Sequence, residues 1–167
     1  MSTYFIEDDG PIFMLDRNLG GYFYSRFTQR ELRSYYTKKA KTFWHSLPEL
    51  HRLVVLDDSE KLEKIVSAIN INQQDSEGRT PFWYACSPYS PKCFGFLLKK
   101  WYVDNLTASV SGVTPLRRLC QDATCEMLRT YLQYHSQEMT TEALRCLNGI
   151  MFTSKEQDAM LELLTTL

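Results

Sequence analysis

Apolar and small residues recur in a fixed order in two stretches of this chain. Residues 78–86 and 112–120 each read Gly-x-Thr-Pro, then a large apolar residue, two variable residues, an apolar residue and Cys. Gly closes a turn, Thr can cap a helix N-terminus, and Pro suits the first helical position, where its missing N–H costs nothing. The apolar positions then fall on the inward face of a short helix. We therefore expect helices to begin at Pro81 and Pro115.

A second helix is expected after each of these. Ser90 and Pro91 repeat the pairing of cap and first helical residue, and apolar residues follow at helical spacing as far as Trp101. In the second copy, Asp122 is expected to cap the partner helix. Residues 103–113 form the predicted extended stretch that leads into the next Thr-Pro. Each unit is thus predicted to be a helix, a turn, a second helix and a connecting stretch.

A related unit precedes these two. Leu50 stands 32 residues before Phe82, in a helix-forming segment without Thr-Pro. Asp57 or Ser59 is expected to cap its partner helix, whose apolar spacing extends to Ile69.

The pattern decays towards the end of the sequence. Residues 140–152 are predicted to form one amphipathic helix. Thr153 and Glu156 have the spacing of a capping box that opens a last helix.

An offset in the low thirties is typical of stacked helical repeats, and such arrays bind partners more often than they catalyse reactions. The predicted units are 46–77, 78–111, 112–139 and a degenerate 140–167, after a separate segment of residues 1–45.

The repeated phrase resembles the ankyrin repeat. Residues 75–82 match that family's Asp-x-x-Gly-x-Thr-Pro-Leu, Leu50-His51 matches its Leu-His, and Ile69-Asn70-Ile71-Asn72 is similar to its Asx-Val-Asn turn. The resemblance implies an all-α, short helical solenoid. The sequence has no nucleophile elbow and no phosphate-binding loop, so neither an enzymatic activity nor a cofactor is predicted. Trp83 and Arg117 replace the family's His, which ties neighbouring turns together. The resemblance therefore implies a weaker hydrogen-bond network between turns in this chain.

The resemblance also implies where a partner protein would bind. In such stacks, the residue after Leu-His and the turn tips line a concave face, and aromatic and Arg side chains dominate interface energetics. The partner-binding candidates are Arg52, Trp83, Tyr84, Arg117, Arg118, Glu77, Arg79, Ser109 and Ser111. Arg can clamp an acidic or extended segment by paired hydrogen bonds. In the alternative interpretation, Trp83 and Tyr84 only pack between units.

The segment of residues 1–45 contains 11 of the 22 aromatic residues, which argues against a disordered tail. Thr28 and Glu31 have capping-box spacing ahead of a predicted helix at residues 29–44. A hairpin around residues 18–21 is a further expectation. We expect the segment to cap the stack by packing on the first unit.

A second function remains open for the same segment. Basic residues interleaved with aromatic ones are typical of a nucleic-acid groove or an anionic surface. The candidate anion-binding residues are Arg26, Arg30, Arg33, Lys38, Lys39 and Lys41.

Composition narrows the classes of function further. The 19 basic and 20 acidic residues nearly balance, so no net field attracts nucleic acid or membranes. The sequence begins without the pattern of a secretory signal, and its longest aliphatic run, residues 53–56, is too short for insertion into a bilayer. The five cysteines lack C-x-x-C spacing and are expected to be core thiols in a reducing compartment, the cytoplasm or nucleus. None of the three histidines has metal-ligand spacing, so no metal site is predicted.

Overall fold

A computed structural model describes residues 4–6, 10–12, 45–100, 103–104, 106–135, 137–151 and 153–167. The chain divides into two compact units, Met1–Pro48 and Glu49–Leu167. The described part of the first unit includes an antiparallel hairpin of two strands, β1 (Tyr4–Ile6) and β2 (Gly10–Ile12). The predictions that lie outside the described residues are the hairpin around 18–21, the helix at 29–44, the six basic candidates of the first segment, Trp101 and Phe152.

The regular structure in the described part of the second unit consists of eight helices, which confirms the all-α prediction for this unit. They are α1 (Glu49–Val55), α2 (Ser59–Ile65), α3 (Pro81–Ala85), α4 (Pro91–Leu98), α5 (Pro115–Asp122), α6 (Cys125–Gln133), α7 (Gln137–Asn148) and α8 (Lys155–Thr166).

The two Gly-x-Thr-Pro phrases form the same local structure. Gly78 has a φ of 73° and Gly112 a φ of 80°, the left-handed region in which glycine carries no Cβ penalty. In each copy, Thr80 or Thr114 accepts a 3.2 Å hydrogen bond through Oγ1 from the backbone N–H three residues later. The following proline is the first helical residue. The predicted turn, cap and helix start are therefore confirmed in both copies.

The second helix of the first predicted repeat, residues 46–77, departs from its prediction at both ends. Asp58 rather than Asp57 or Ser59 caps α2, since its Oδ1 accepts from the backbone N–H of Lys61. The helix ends at Ile65, because the side chain of Asn70 bonds both the Ile65 carbonyl and a backbone N–H beyond the helix end. The predicted extension to Ile69 is wrong, and that side chain is 96% exposed.

Three later boundaries also differ from expectation. Thr124 caps α6 through a hydrogen bond from the Met127 N–H, whereas Asp122 is the last residue of α5. The capping box of α8 lies one residue later than predicted, with Ser154 and Gln157 as its reciprocal pair. Helix α7 spans Gln137–Asn148 rather than beginning at residue 140. At the caps of α6 and α8, neighbouring residues had similar capping chemistry, and the backbone conformation selected among them.

The helices contact one another in a regular order. α1, α3, α5 and α7 contact in succession, and α1–α2, α3–α4 and α5–α6 form consecutive pairs; α2 also contacts α4, and α6 contacts α8. Phe82 of α3 stacks between Phe94 of α4 and Tyr131 of α6, at centroid distances of 5.7 and 6.5 Å. The core thus runs between the two helices of each pair and onward to the next pair.

Candidate binding surface

Two equivalent hydrogen bonds tie each first helix to the following turn. Nε2 of His51 lies 2.8 Å from the carbonyl oxygen of Arg79, and Nε1 of Trp83 donates at 2.9 Å to that of Val113. Trp83 occupies the position of His51 in the next unit, and Val113 occupies the position of Arg79. The expectation of a weaker network is thus wrong at Trp83, because an indole N–H supplies the donor in place of an imidazole.

The turn tips of the two best repeats are also joined directly. Each tip closes with a bond from the glycine N–H to the carbonyl three residues earlier, from Gly78 to Asp75 and from Gly112 to Ser109. The backbone N–H of Val110 in the second tip donates at 2.7 Å to the carbonyl of Glu77 in the first. The tips consequently stand side by side with a fixed spacing.

An aromatic and arginine row runs along α1, α3 and α5. The rings of His51 and Tyr84 meet edge to face at 5.5 Å, and those of Tyr84 and Trp83 at 5.2 Å. The guanidinium of Arg118 lies 3.9 Å from the centroid of the Trp83 ring, a cation–π contact. We call these four residues (His51, Trp83, Tyr84 and Arg118) the inner row; all four are buried.

Asp75 organises the polar contacts beside the inner row. Its Oδ2 accepts hydrogen bonds from the Tyr84 hydroxyl at 2.6 Å and the Arg79 Nε at 2.9 Å. Its Oδ1 accepts from the backbone N–H groups of Glu77 and Arg79. Burial alone would raise the pKa of Asp75, but these bonds and the Arg79 charge outweigh burial and hold that pKa below its usual value. The carboxylate is therefore a charged anchor for the first turn tip.

Burial keeps two other ionisable groups of this region neutral. It raises the pKa of the Tyr84 hydroxyl far above its usual value, so Tyr84 acts as a hydrogen-bond donor. Burial also lowers the pKa of His51, against smaller opposing effects of the Arg79 carbonyl and Asp75. Since a carbonyl oxygen only accepts, the proton of neutral His51 is assigned to Nε2. His51 and Tyr84 therefore keep fixed hydrogen-bonding roles near neutral pH.

The nine predicted partner-binding residues separate into two groups by exposure. Arg117, Glu77 and Ser111 are exposed and Arg52 is half-buried. The buried candidates are Trp83, Tyr84, Arg118, Arg79 and Ser109. For those five, the expectation of an open surface is corrected, because their polar and aromatic groups contact other parts of the same chain. Trp83 and Arg118 are each 1% exposed, so for Trp83 and Tyr84 the interpretation as packing between units holds.

Two features of this surface were not predicted from the sequence. The first is the role of Asp75, although an Asp three residues before a turn glycine is a common means of binding turn N–H groups. Val110 and Leu106 present apolar side chains that are 76% and 65% exposed at and just before the second turn tip. For Val110 and Leu106, the available signal in the sequence was an apolar residue within an otherwise polar stretch.

The cysteines follow expectation in part. Cys86, Cys93 and Cys120 are buried core thiols, whereas Cys125 and Cys146 are half-buried. Within the described residues, no cluster of His, Cys, Asp or Glu could hold a metal ion. The same part of the chain contains no helix with the length and apolar character needed to span a bilayer.

Comparison with protein-family models finds no match to this chain, and comparison with curated proteins finds none either.

Proposed function

We propose that this chain is a non-enzymatic protein-interaction module in which Glu49–Leu167 form a short ankyrin-like stack. The observation that supports this most is the repetition of one turn-to-turn hydrogen bond, from His51 to the Arg79 carbonyl and from Trp83 to that of Val113. Repeats that are linked in register present the same positions of successive units side by side, which suits the binding of an extended partner.

The binding surface of this proposal consists of the accessible residues that flank the inner row. Arg117 follows the cap of α5 at the position that Trp83 holds in α3, and it is exposed. Arg52 lies in the last turn of α1, at the position of Tyr84 and Arg118 in the later units. We call Arg52 and Arg117 the arginine pair. Their guanidinium groups provide the donors for carboxylates of an acidic segment.

The turn tips extend this surface. Glu77 and Ser111 occupy equivalent positions in the two hydrogen-bonded tips and both are exposed. Val110, between them, adds exposed apolar area. A partner that lies across α1, α3 and α5 could therefore place acidic groups at the arginine pair and an apolar group at Val110.

The buried inner row contributes rigidity to this surface. Trp83 is held by its hydrogen bond to Val113 and by Arg118, and Tyr84 by Asp75. Ordering these side chains in the free protein lowers the entropy cost of binding. Because the inner row is buried, a substitution there would test the stability of the fold rather than the binding of a partner.

The experiment compares the proteins captured from a cell extract by the full chain and by two double variants. Arg52→Ala with Arg117→Ala removes the arginine pair. Lys64→Ala with Lys99→Ala removes the same number of positive charges from exposed positions of α2 and the end of α4. We expect the first variant to lose the specific partner and the second to retain it, with unchanged circular dichroism in both. Equal capture by all three chains would contradict the proposed surface.

A further inference from the structure

Two cysteines lie close together where α5 packs on α7. Sγ of Cys120, which is fully buried, lies 3.9 Å from the carbonyl oxygen of Ala143 in α7. Cys146 follows Ala143 by three residues, so both positions lie on the same face of α7. The Cys146 side chain therefore lies one helical turn along α7 from the carbonyl that the Cys120 thiol contacts, where α5 packs on α7.

The two thiols differ in exposure and charge environment. Cys146 is half-buried, and the arginines 117 and 145 contribute positive charge near it. Glu142 opposes this with its Oε1 at 4.0 Å from Sγ, while its Oε2 pairs with Arg145 at 3.0 Å. The hydrogen bond from Cys120 is the largest influence, and with the two arginines it holds the pKa of Cys146 below that of an ordinary thiol. The same bond, together with burial, raises the pKa of Cys120.

These differences assign separate roles to the pair. The thiolate is the reactive form of cysteine, and redox-sensitive cysteines lie in positive, partly accessible surroundings beside a second thiol. Cys146 has that environment, and Cys120 is the protonated neighbour.

The remaining described thiols are less suited to reaction. Burial raises the pKa of Cys86 and of Cys93 to about 12 in each case, and no solvent reaches either side chain. Cys125 is half-buried, and burial raises its pKa as well. Cys146 is thus the described cysteine that combines access to solvent with a stabilised thiolate.

We propose that Cys146 and Cys120 form a reversible disulfide in response to a peroxide, which covalently joins α5 to α7. The Cys146 thiolate attacks one oxygen of hydrogen peroxide, the O–O bond breaks, and hydroxide leaves to be protonated to water. The resulting sulfenic acid is then attacked by Cys120. The S–S bond forms, the S–O bond breaks, and the hydroxyl leaves as water with the Cys120 proton. Two thiols are oxidised by two electrons, and one peroxide is reduced to two waters.

The direct test is disulfide mapping of the full chain after treatment with hydrogen peroxide. Free thiols are blocked under denaturing conditions, and the chain is digested with trypsin and with a protease that cleaves before Asp. Cleavage before Asp122 is needed because trypsin alone leaves Cys120 and Cys125 on one peptide. We expect peptide 119–121 linked to peptide 146–155, a loss of two of the five thiols, and recovery of both with dithiothreitol. Absence of this linked peptide, or linkage only between separate chains, would overturn the proposal.

Single substitutions distinguish the assigned roles. Cys146→Ser should abolish the linked peptide and slow peroxide-dependent thiol loss by roughly fivefold or more, because the reactive thiolate is gone. Cys120→Ser should leave a sulfenic acid at Cys146 that dimedone labels. Cys125→Ser is the control and should behave as the wild type does. If Cys146→Ser oxidises at the wild-type rate, the assignment of Cys146 as the reactive thiol is wrong. The mapping of the unaltered chain does not depend on how these variants fold.

Discussion

The indole N–H of Trp83 donates to the carbonyl oxygen of Val113, and in doing so repeats the bond that His51 makes with Arg79 one unit earlier. The two distances, 2.9 and 2.8 Å, are nearly equal although the rings differ in size. Both donors are buried and both acceptors are backbone carbonyls of the following turn. The link between a helix and the next turn therefore depends on an aromatic N–H at this position rather than on histidine itself.

Loss of that donor should weaken the link between the second and third units. Trp83→Phe keeps an aromatic ring but leaves the Val113 carbonyl without the indole bond, so we expect the free energy of unfolding to fall by about 1–3 kcal/mol. Urea denaturation gives the change. The Phe variant also identifies the resonance of the Trp83 indole N–H, because that resonance is absent from its spectrum. In the wild type, this N–H should exchange with deuterium as slowly as the core amides do. A freely exchanging Trp83 indole would contradict the hydrogen bond.

Leu116 tests the register of the repeat in the third unit. It stands at the position of Phe82 and is buried, as the repeated phrase predicts. Leu116→Ala should lower the free energy of unfolding by about 2–5 kcal/mol through lost burial and a residual cavity. The neighbouring exposed position provides the control, and Arg117→Ala should change stability by less than about 0.5 kcal/mol. A loss well under 1 kcal/mol for Leu116→Ala in a denaturant titration would show that Leu116 is not a core residue.

Asp57 should contribute to stability by capping α4, a helix of the next repeat. Its φ of 55° is left-handed, and its Oδ1 accepts a 2.8 Å hydrogen bond from the backbone N–H of Cys93 near the start of α4. The nominal cap, Ser90, instead donates through its hydroxyl to the carbonyl of Val54. Asp57→Ala loses the cap and strains the backbone, so we expect a cost of about 2 kcal/mol.

Two further substitutions at this position separate the two effects. Asp57→Asn keeps an acceptor and tolerates the left-handed conformation, so stability should change by less than about 0.5 kcal/mol. Asp57→Gly removes the cap but relieves the strain and should fall between the other two variants in thermal unfolding. Equal stability of the Ala and Asn variants would rule out the cap across units.

Asp75 should make the fold sensitive to acid. Its pKa is lower in the folded than in the unfolded chain, so the unfolded chain binds more protons between those two values. The stability that Asp75 provides is complete above the unfolded pKa of about 4 and is lost as the pH falls through the folded value. Asp75→Asn leaves Arg79 buried without its ion-pair partner and should cost about 3 kcal/mol at pH 7.

The control for this prediction is Glu77→Gln, which removes an exposed negative charge from the same turn. The stability difference between wild type and Asp75→Asn should shrink as the pH is lowered from 5 to 2, while Glu77→Gln should remain close to the wild type throughout. Asp58 and Asp104 also have lowered pKa values and retain their own contributions in both variants. A difference for Asp75→Asn that is independent of pH would contradict the role of its charge.

The sequence predicts the turns and helix starts well because their causes are local. Gly78, Thr80 and Pro81 each act on backbone groups within a few residues, and the same chemistry recurs from Gly112 onward. The cap of α2 could not be chosen from sequence, because Asp57 and Asp58 have identical side chains and differ only in backbone conformation.

The candidate site was less predictable because its partners are distant in sequence. Trp83 and Arg118 have the residue types of an exposed interface, yet a carbonyl 30 residues away and a cross-unit cation–π contact bury them. Arg117, with the same side chain as its neighbour, is exposed, since consecutive residues of a helix point about 100° apart. The pairing of Cys120 with Cys146 likewise arises only when α7 packs on α5.

Site-specific photo-crosslinking tests the proposed binding surface most directly. A photoreactive amino acid is placed at residue 111, in the exposed second turn tip, or at residue 64, in the last turn of α2. Both arginines of the arginine pair are thus retained. In a cell extract, we expect the probe at residue 111 to crosslink a partner, the probe at residue 64 not to do so, and Arg52→Ala to abolish or greatly weaken the crosslink. Crosslinking to the same partner from residue 64 alone, or a crosslink from residue 111 that Arg52→Ala leaves unchanged, would contradict the proposed binding surface.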